Sequence, residues 1–390
     1  MVKLVIAPAA GGKTAFALNQ ARRSAAGLEA EPQVVLINRL AVLAWRKRLA
    51  QAGGGAGIRA GTFDDLYRQI LVHAGHPFTL VGEPVQKRLI RSAVQRLPLD
   101  YFGRIKDQPG FVDALVDLIR ELKAGMIFPR DFARAVQDLN GSSRLSEMAA
   151  IYQAYQERLE SQGFLDFQGA GWAAARMLTE NPEVGRDWPL LIVDGFDDFN
   201  PLQLRILQLL APQLEEMIIT LTGEKEPGRR KLAQDRFNRT RRELKQALDV
   251  QVEFLVEDTS RTLHAVGPGK CLAQQIFSAG EETFDPGEGL RLLAVPDREA
   301  EVREALRWIK TLLVREGLEP EACAVLCRNL EPYRSFFDRV GKEFGLPLTI
   351  AGGLPLEENP VVAAVMDLLR LMKTGEERLA WRGVVEAWRS

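Results

Sequence analysis

The sequence contains few of the residues that several common kinds of site require. Its 390 residues include three cysteines and three histidines, too few for a disulfide framework or a histidine-rich metal site. The longest apolar runs, such as Leu190–Val193 and Met217–Leu221, are far shorter than the roughly 20 residues that span a bilayer. The N-terminal residues lack the layout of a signal peptide. We therefore expect a cytoplasmic protein with no membrane span.

The charge is nearly balanced. The chain has 51 basic and 52 acidic residues, and its net charge is -1. The whole molecule therefore does not attract nucleic acid, and any such binding must depend on local basic patches. With 46% hydrophobic and 26% charged residues, the composition is that of an ordinary globular protein, and the length indicates two or three domains.

Apolar runs alternate with helical patterns along the chain, which predicts an α/β fold with a parallel sheet. Val2–Ile6 has the pattern of a strand, residues 7–14 form a loop of small residues, and Ala15–Ala26 has the pattern of a helix. From about residue 83 to 162 the pattern is almost wholly helical, and we interpret this block as an insertion into the sheet domain. A second α/β unit follows, with strands expected at Leu290–Val295, Ala322–Cys327 and Leu348–Ile350.

Residues 7–14 match the P-loop pattern G-x-x-x-x-G-K-[ST] except at its first glycine, where Ala7 stands. Small residues let backbone N–H groups surround phosphates, the Lys13 ammonium reaches the β- and γ-phosphates, and the Thr14 hydroxyl ligates Mg²⁺. Ala7 weakens such a site only if its backbone needs a positive φ. A loop that has kept its fold but lost the nucleotide is the alternative. The predicted phosphate-binding residues are Ala9, Ala10, Gly11, Gly12, Lys13 and Thr14.

A second apolar strand, Leu190–Val193, ends in the acidic residue Asp194. A carboxylate at this place holds Mg²⁺ in P-loop proteins, directly or through water. An ordinary strand-end carboxylate in a turn is the alternative. Hydrolysing members usually have a glutamate next, to orient the attacking water, but here Gly195 follows. We interpret Asp197 and Asp198 as solvated or helix-capping acids.

Several segments resemble motifs of UvrD-like superfamily 1 helicases, in the same order. Gly61–Leu66 resembles their "TF-x-x-L" segment, and Leu165–Phe167 resembles "LDF-x-D". Val193–Gln203 is similar to a degraded "VDE-F-Q-D-T-x-x-x-Q". Ala324–Asn329 resembles the "IAVL-x-R" strand that opens their second core domain. The resemblance covers most of the chain.

The departures from these motifs indicate a particular branch. Gly195 replaces the catalytic glutamate, Asp197 replaces a glutamine, and Thr222–Pro227 lacks the helicase "GD-x-x-Q-S-I-Y" pattern. The chain thus resembles the AddB-type subunit of the bacterial AddAB helicase–nuclease. This implies a DNA-binding scaffold for double-strand break repair, with ATP and Mg²⁺ as cofactors and an AddA-type partner. It also implies a nuclease domain with an iron–sulfur cluster beyond residue 390, and no such cluster within these residues.

The resemblance implies two RecA-like P-loop domains with a helical insertion in the first. The first domain is predicted to comprise residues 1–84 and 163–222, with the insertion at 85–162. The second is predicted at residues 223–355. Residues 356–390 then begin a further helical region, which we expect to be truncated. The cleft between the two domains would hold the nucleotide.

The resemblance also implies roles for residues outside the phosphate loop. Thr62 and Phe63 would contact single-stranded DNA; alternatively, Thr62 caps a helix and Phe63 packs in the core. Arg328 would reach the γ-phosphate across the cleft; a surface arginine is the alternative. The basic segment 229–246 independently offers Arg239 and Arg242 for DNA phosphates, with a solvated helix face as the alternative.

Two other functions remain open from the sequence. The first is an active superfamily 1 DNA-dependent ATPase or helicase, whose turnover would depend on Lys13 and Asp194. The second is an unrelated P-loop kinase or assembly ATPase, which the second α/β unit disfavours.

Overall fold

The computed structural model describes residues 1–9, 11–27, 31–139, 141–224, 231–255, 290–350 and 359–374. Ala10 lies outside the described residues. The chain divides into two compact units, Met1–Leu290 and Arg291–Ser390. Within the described ranges, no helix is both long and apolar enough to cross a membrane.

The first unit is built on six parallel strands, in the order β3-β2-β6-β7-β1-β8. This confirms the predicted α/β class with a parallel sheet. The strands are β1 (Val2–Ala7), β2 (Gln33–Leu36), β3 (Arg59–Gly61), β6 (Leu190–Asp194), β7 (Glu216–Thr222) and β8 (Val250–Phe254). Two further short strands, β4 (Thr79–Leu80) and β5 (Phe164–Leu165), pair with each other in parallel.

Helices cover both faces of the sheet, because alternate strand residues point to opposite sides. One face packs against α1 (Lys13–Ser24) and α2 (Arg39–Gln51), where Trp45 is 1% exposed. The other face packs against α3, α8, α9 and α10. Each fully buried large apolar side chain in these layers contributes about 1.5–3 kcal/mol. The four helices of the second face are α3 (Phe63–His73), α8 (Phe167–Glu180), α9 (Pro201–Leu210) and α10 (Lys231–Ala247).

Four helices are inserted between β4 and β5. They are α4 (Glu83–Arg96), α5 (Pro109–Ala124), α6 (Pro129–Asp138) and α7 (Ser143–Ser161). Their apolar faces meet in a separate core, in which Ile90, Ile151 and Tyr155 are almost fully buried. The helical block that the sequence predicts therefore has its own core and is connected to the sheet through β4 and β5.

The structure differs from the sequence expectation after residue 222. The expected second domain began at residue 223, yet α10 packs on the first sheet and β8 pairs with β1. In residues 290–350 the second unit has helices α11 (Arg298–Arg315) and α12 (Arg334–Phe344) but no strand. The expected strands lack burial there, since Leu292 is 98% and Leu326 94% exposed. A further helix, α13, covers Pro360–Thr374.

A buried ion pair joins the insertion to the sheet domain. The Lys123 ammonium in α5 is fully buried and donates to both carboxylate oxygens of Asp166 at 2.8 Å and to Gln156 Oε1 at 3.0 Å. Asp166, which caps α8, also accepts from the Tyr155 hydroxyl at 2.9 Å and from the backbone N–H of Gly169 at 2.6 Å. Because both charged groups are buried, removing one of them leaves the other without a counter-charge in the interior.

The replacement Asp166→Asn tests this pair, because it keeps a capping acceptor but removes the counter-charge. Burial lowers the pKa of Lys123, and the Asp166 carboxylate opposes that shift. Near neutral pH we expect the variant's free energy of unfolding to fall by about 3 kcal/mol. At alkaline pH the loss should shrink, because the folded variant releases a Lys123 proton that the unfolded chain still binds. Urea unfolding at both pH values measures this.

The double variant Lys123→Met/Asp166→Asn is the control, since it lacks both charges of the pair. Its own stability should change with pH much less than that of Asp166→Asn, because it has no buried Lys123 proton to release. A loss in Asp166→Asn that does not change with pH would contradict the account of the pair.

Candidate functional site

The predicted site residues gather at one edge of the sheet. Because all six strands are parallel, their carboxyl ends meet there, and Lys13 follows β1 while Asp194 ends β6. Helix α1 leaves β1 towards one face of the sheet, and α9 leaves β6 towards the other. Such a divergence opens a crevice at the carboxyl edge, which is where ligands bind in open α/β sheets.

The loop after β1 is held by hydrogen bonds among its own residues and Lys13. The backbone N–H of Gly11 donates to the Pro8 carbonyl at 3.0 Å, and the Lys13 ammonium donates to the carbonyls of Ala7 and Pro8 at 3.0 and 2.7 Å. Gly12 caps α1 with φ +86°, a conformation that glycine adopts without strain. Ala7 is paired within β1, and among the described residues the only non-glycine with positive φ is Met126. The missing first glycine therefore introduces no backbone strain.

Lys13 and Asp194 lie close enough to interact. Burial lowers the pKa of Lys13, while the charges of Asp194 and Asp197 act in the opposite direction. Asp194 is 3% exposed, and its Oδ1 accepts from the Thr220 hydroxyl at 2.5 Å. No described residue bonds to Asp194 Oδ2 or to the Thr14 hydroxyl. These two oxygen atoms are thus free to act as ligands beside the lysine.

Gly195 stands in a left-handed conformation, with φ +86°. Residues with a side chain rarely adopt this φ, because Cβ then approaches the backbone carbonyl. The sequence shows only that the glutamate is missing. The structure adds that the backbone at this position disfavours any L-residue with a side chain.

A cavity of about 610 Å³ opens at the same edge of the sheet. The N-terminal turns of five helices contribute to its lining, through residues of α2, α3, α4, α8 and α9. Each helix N-terminus presents unpaired N–H groups and a partial positive charge. An anionic ligand is therefore favoured there. The contributing residues at these turns are Asn38, Arg39, Thr62, Phe63, Asp64, Asp65, Gly82, Phe167 and Gln203.

Thr62 and Phe63 have the capping and packing roles that the sequence offered as the alternative to DNA contact. The backbone N–H and the hydroxyl of Thr62 donate to Asp65 Oδ2 at 2.8 and 3.0 Å, which fixes the start of α3. Phe63 is 4% exposed and packs edge-on against Phe196, with ring centroids 5.3 Å apart. Both residues nevertheless line the cavity. The capping and packing roles are present, and DNA contact stays a prediction.

The charged groups of the cavity are mixed. Arg39 is exposed, and Arg68 forms an ion pair with Asp65. Burial raises the pKa of Asp64, and the neighbouring Asp65 adds to the shift. Arg39 forms no ion pair among the described residues, and its charge opposes the upward shift of the Asp64 pKa.

Helix α10 presents the predicted basic residues next to the loop after β6. Arg236 pairs with Asp197 at 3.1 Å, and the Thr240 hydroxyl donates to the Asp197 carbonyl at 2.6 Å. Asp197 is therefore an ion-pair partner rather than a free solvated acid. Arg239 and Arg242 are exposed on the same helix, where both the DNA and the solvated-face interpretations remain.

Arg328 lies in the second unit and is exposed. Its predicted contact with a γ-phosphate is untested and stays a prediction. Ala9 is exposed in the loop after β1.

Sequence reasoning missed several residues of the cavity. Asn38 accepts from the backbone N–H of Ala41 at 2.9 Å and so caps α2, and Gln203 shares a reciprocal capping pair with Asn200. The signal for Asn38 was present: a capping residue directly after an apolar strand marks the carboxyl edge of a parallel sheet. Phe196 has no comparable local signal.

The sequence matches a known family over most of the first unit. A family model described as "ADDB, N-terminal" matches residues 4–266. The chain belongs to this family. The matched range contains the loop after β1, the insertion, β6 and β8, and it confirms the AddB-type resemblance.

The names of curated relatives agree with this family. Each of the following is named as a subunit of an ATP-dependent helicase/deoxyribonuclease. The protein of Moorella thermoacetica is 27% identical over 99% of this chain and 34% of its own length. That of Desulforudis audaxviator is 25% identical over 94% and 33%, and that of Bacillus licheniformis 22% over 93% and 33%. The chain thus spans about a third of the length of these relatives.

The conformation of Gly195 leads to a stability prediction. An added Cβ would meet no atom within 4 Å, so Gly195→Ala should cost only the backbone strain of positive φ, about 1 kcal/mol. Gly195→Asn should cost less, because asparagine tolerates this conformation. Urea unfolding of the two variants and wild type measures the difference. Equal stability of all three proteins would show that the turn is not strained.

Proposed function

We propose that this chain is the helicase-like, DNA-binding part of a subunit of an ATP-dependent helicase–nuclease. It would act in the repair and recombination of double-strand breaks, together with an AddA-type partner. It would bind ATP and Mg²⁺ with little or no motor activity. The observation that carries the proposal is the convergence of five helix N-termini on the 610 Å³ cavity, at the sheet edge that also carries Lys13 and Asp194.

The nucleotide part rests on the groups around Lys13. Mg²⁺ prefers oxygen ligands, and the free Thr14 hydroxyl and Asp194 Oδ2 are of this type. Bound Mg²⁺ would neutralise phosphate charge. The Lys13 ammonium would exchange the carbonyls of Ala7 and Pro8 for phosphate oxygens. Glycine at residue 195 provides no group to orient an attacking water, which supports binding without turnover.

The DNA part rests on the chemistry of the cavity lining. Arg39 and the helix N-termini suit phosphates. Phe167, which is half-buried at the cavity, provides aromatic surface for an unstacked base, while Phe63 and Phe196 line the cavity from the core. The side-chain oxygen of Gln203 accepts from the backbone N–H of Asn200. Among the described residues its NH₂ group has no acceptor, so it would donate to a base. Together these groups favour single-stranded DNA.

Calorimetric titration of Mg-ATP tests the nucleotide part. We expect binding in the micromolar range, weakened about tenfold or more in Lys13→Ala because a charge-assisted hydrogen bond is lost. Wild type should show no turnover. Gly195→Glu should show none either, because the left-handed backbone does not place a glutamate side chain without strain.

Lys13→Arg keeps the charge and is the matched control for general destabilisation. Equal affinity of Lys13→Ala and wild type would rule out this loop as the nucleotide site. DNA-stimulated turnover that depends on Lys13 and Asp194 would favour an active ATPase instead.

Fluorescence anisotropy with a labelled single-stranded oligodeoxynucleotide tests the DNA part. Arg39→Ala should weaken binding. It should also reduce the slope of log affinity against log salt by about 0.7, the value for one lost phosphate contact on a single strand. Arg23→Ala is the matched control, because Arg23 is exposed in the last turn of α1, away from the carboxyl edge.

An unchanged affinity and salt slope in Arg39→Ala would mean that DNA does not bind at the cavity. A separate double variant, Arg239→Ala/Arg242→Ala, then shows whether α10 contributes the phosphate contacts.

A further inference from the structure

One side of the cavity is formed by the hinge of the helical insertion. Leu80 ends β4, Gly82 caps α4, and Phe167 is the first residue of α8; all three line the cavity. The chain leaves the sheet domain through the first two and returns next to the third. Residues of α2, α3 and α9, which belong to the sheet domain, form other parts of the lining. The shape of the cavity therefore depends on where the insertion sits.

Backbone hydrogen bonds hold the two hinge segments together. Leu80 pairs with Leu165 in the two-stranded sheet, and the backbone N–H of Val81 donates to the Leu165 carbonyl at 2.8 Å. The buried side chain of Gln86 donates to the Val81 carbonyl at 3.3 Å. The segments through which the chain enters and leaves the insertion are thus bonded to each other. Phe167 lies two residues after this pairing.

The Lys123–Asp166 pair lies directly behind this hinge. Asp166 immediately precedes Phe167, and Lys123 belongs to α5 of the insertion. The Lys123 carbonyl also accepts from the indole N–H of Trp172 in α8 at 2.9 Å, so both ends of the lysine contact the same helix. The packing is tight, since a Cβ on Gly169 would come within 2.8 Å of Asp166 Oδ1 and 3.3 Å of Lys123 Nζ.

We propose that Lys123 and Asp166 are positioning residues that fix the hinge of the insertion, so that the placement of the insertion sets the shape of the cavity and its affinity for single-stranded DNA. Neither residue lines the cavity. They act through Phe167 and the paired hinge strands. This inference rests on the proposed DNA-binding role of the cavity.

Two variants disturb the pair in different ways. Gly169→Ala keeps both charges but forces the Asp166 carboxylate away from its position. Lys123→Met/Asp166→Asn removes both charges and keeps the helix cap, so neither charge is left uncompensated. Gly110→Ala, in α5, is the matched control, because a Cβ there meets no atom within 4 Å.

Three measurements separate positioning from folding. Anisotropy gives the affinity for the single-stranded oligodeoxynucleotide, and calorimetry gives the affinity for Mg-ATP. Spin labels at Asn19 in α1 and Gln95 in α4, both exposed, report the distance between sheet domain and insertion. The labels are placed in a background with Cys271, Cys323 and Cys327 replaced by serine. All measurements use the 390-residue chain.

In both hinge variants we expect the spin-label distances to shift or broaden. We also expect DNA affinity to fall about fivefold or more, the size of one weakened stacking or ionic contact. Affinity for Mg-ATP should stay at the wild-type value, which general unfolding would not allow. Gly110→Ala should match wild type in all three measurements.

Wild-type distances and DNA affinity in both folded hinge variants would overturn the inference. If wild type binds no DNA, the proposed function of the cavity fails, and the spin-label distances still decide whether the pair fixes the hinge. Unchanged distances would then overturn this part as well, and changed distances would support it.

Discussion

Parallel pairing of all six strands is the constraint on which the rest of the molecule depends. It places every strand's carboxyl end at one edge, so loops that are far apart in sequence meet there. Lys13 and Asp194 lie far apart in the chain, yet their charges interact. The same constraint directs the N-termini of α2, α3 and α9 towards that edge. Helices α4 and α8, which follow the separate pair β4 and β5, add their N-termini to the lining of the same cavity.

Residues at this edge serve the fold and the candidate site together. Asn38 and Thr62 begin α2 and α3, and their caps satisfy backbone N–H groups that would otherwise be unpaired. Both also line the cavity. A side chain held by a cap has little freedom, so the cavity lining is preorganised by the same hydrogen bonds that define the helix ends. Changing a capping residue would alter stability and lining at once.

How far the sequence predicted this structure depends on the range of each interaction. Lys13, Thr14 and Asp194 follow from local patterns, namely a strand with a glycine loop and a strand with an acid. The Lys123–Asp166 pair joins residues 43 apart, and no local pattern indicates it. The expected strands of the second unit were inferred from apolar runs alone. Such runs become strands only when pairing and burial are available, and Leu292 and Leu326 have neither burial nor a strand partner in the described residues.

The end of β6 shows how the two parts of the candidate site are connected. Asp194 interacts with Lys13, while Phe196, two residues later, lines the cavity. Between them, the left-handed turn at Gly195 redirects the chain from Asp194, next to Lys13, towards the cavity. A glutamate in the same turn would carry the strain of positive φ. The left-handed turn that brings Phe196 to the cavity favours glycine at residue 195, whereas orienting a water molecule requires a side chain there. These two requirements therefore conflict. This chain has the turn, and that accounts physically for a glycine, rather than a glutamate, directly after Asp194.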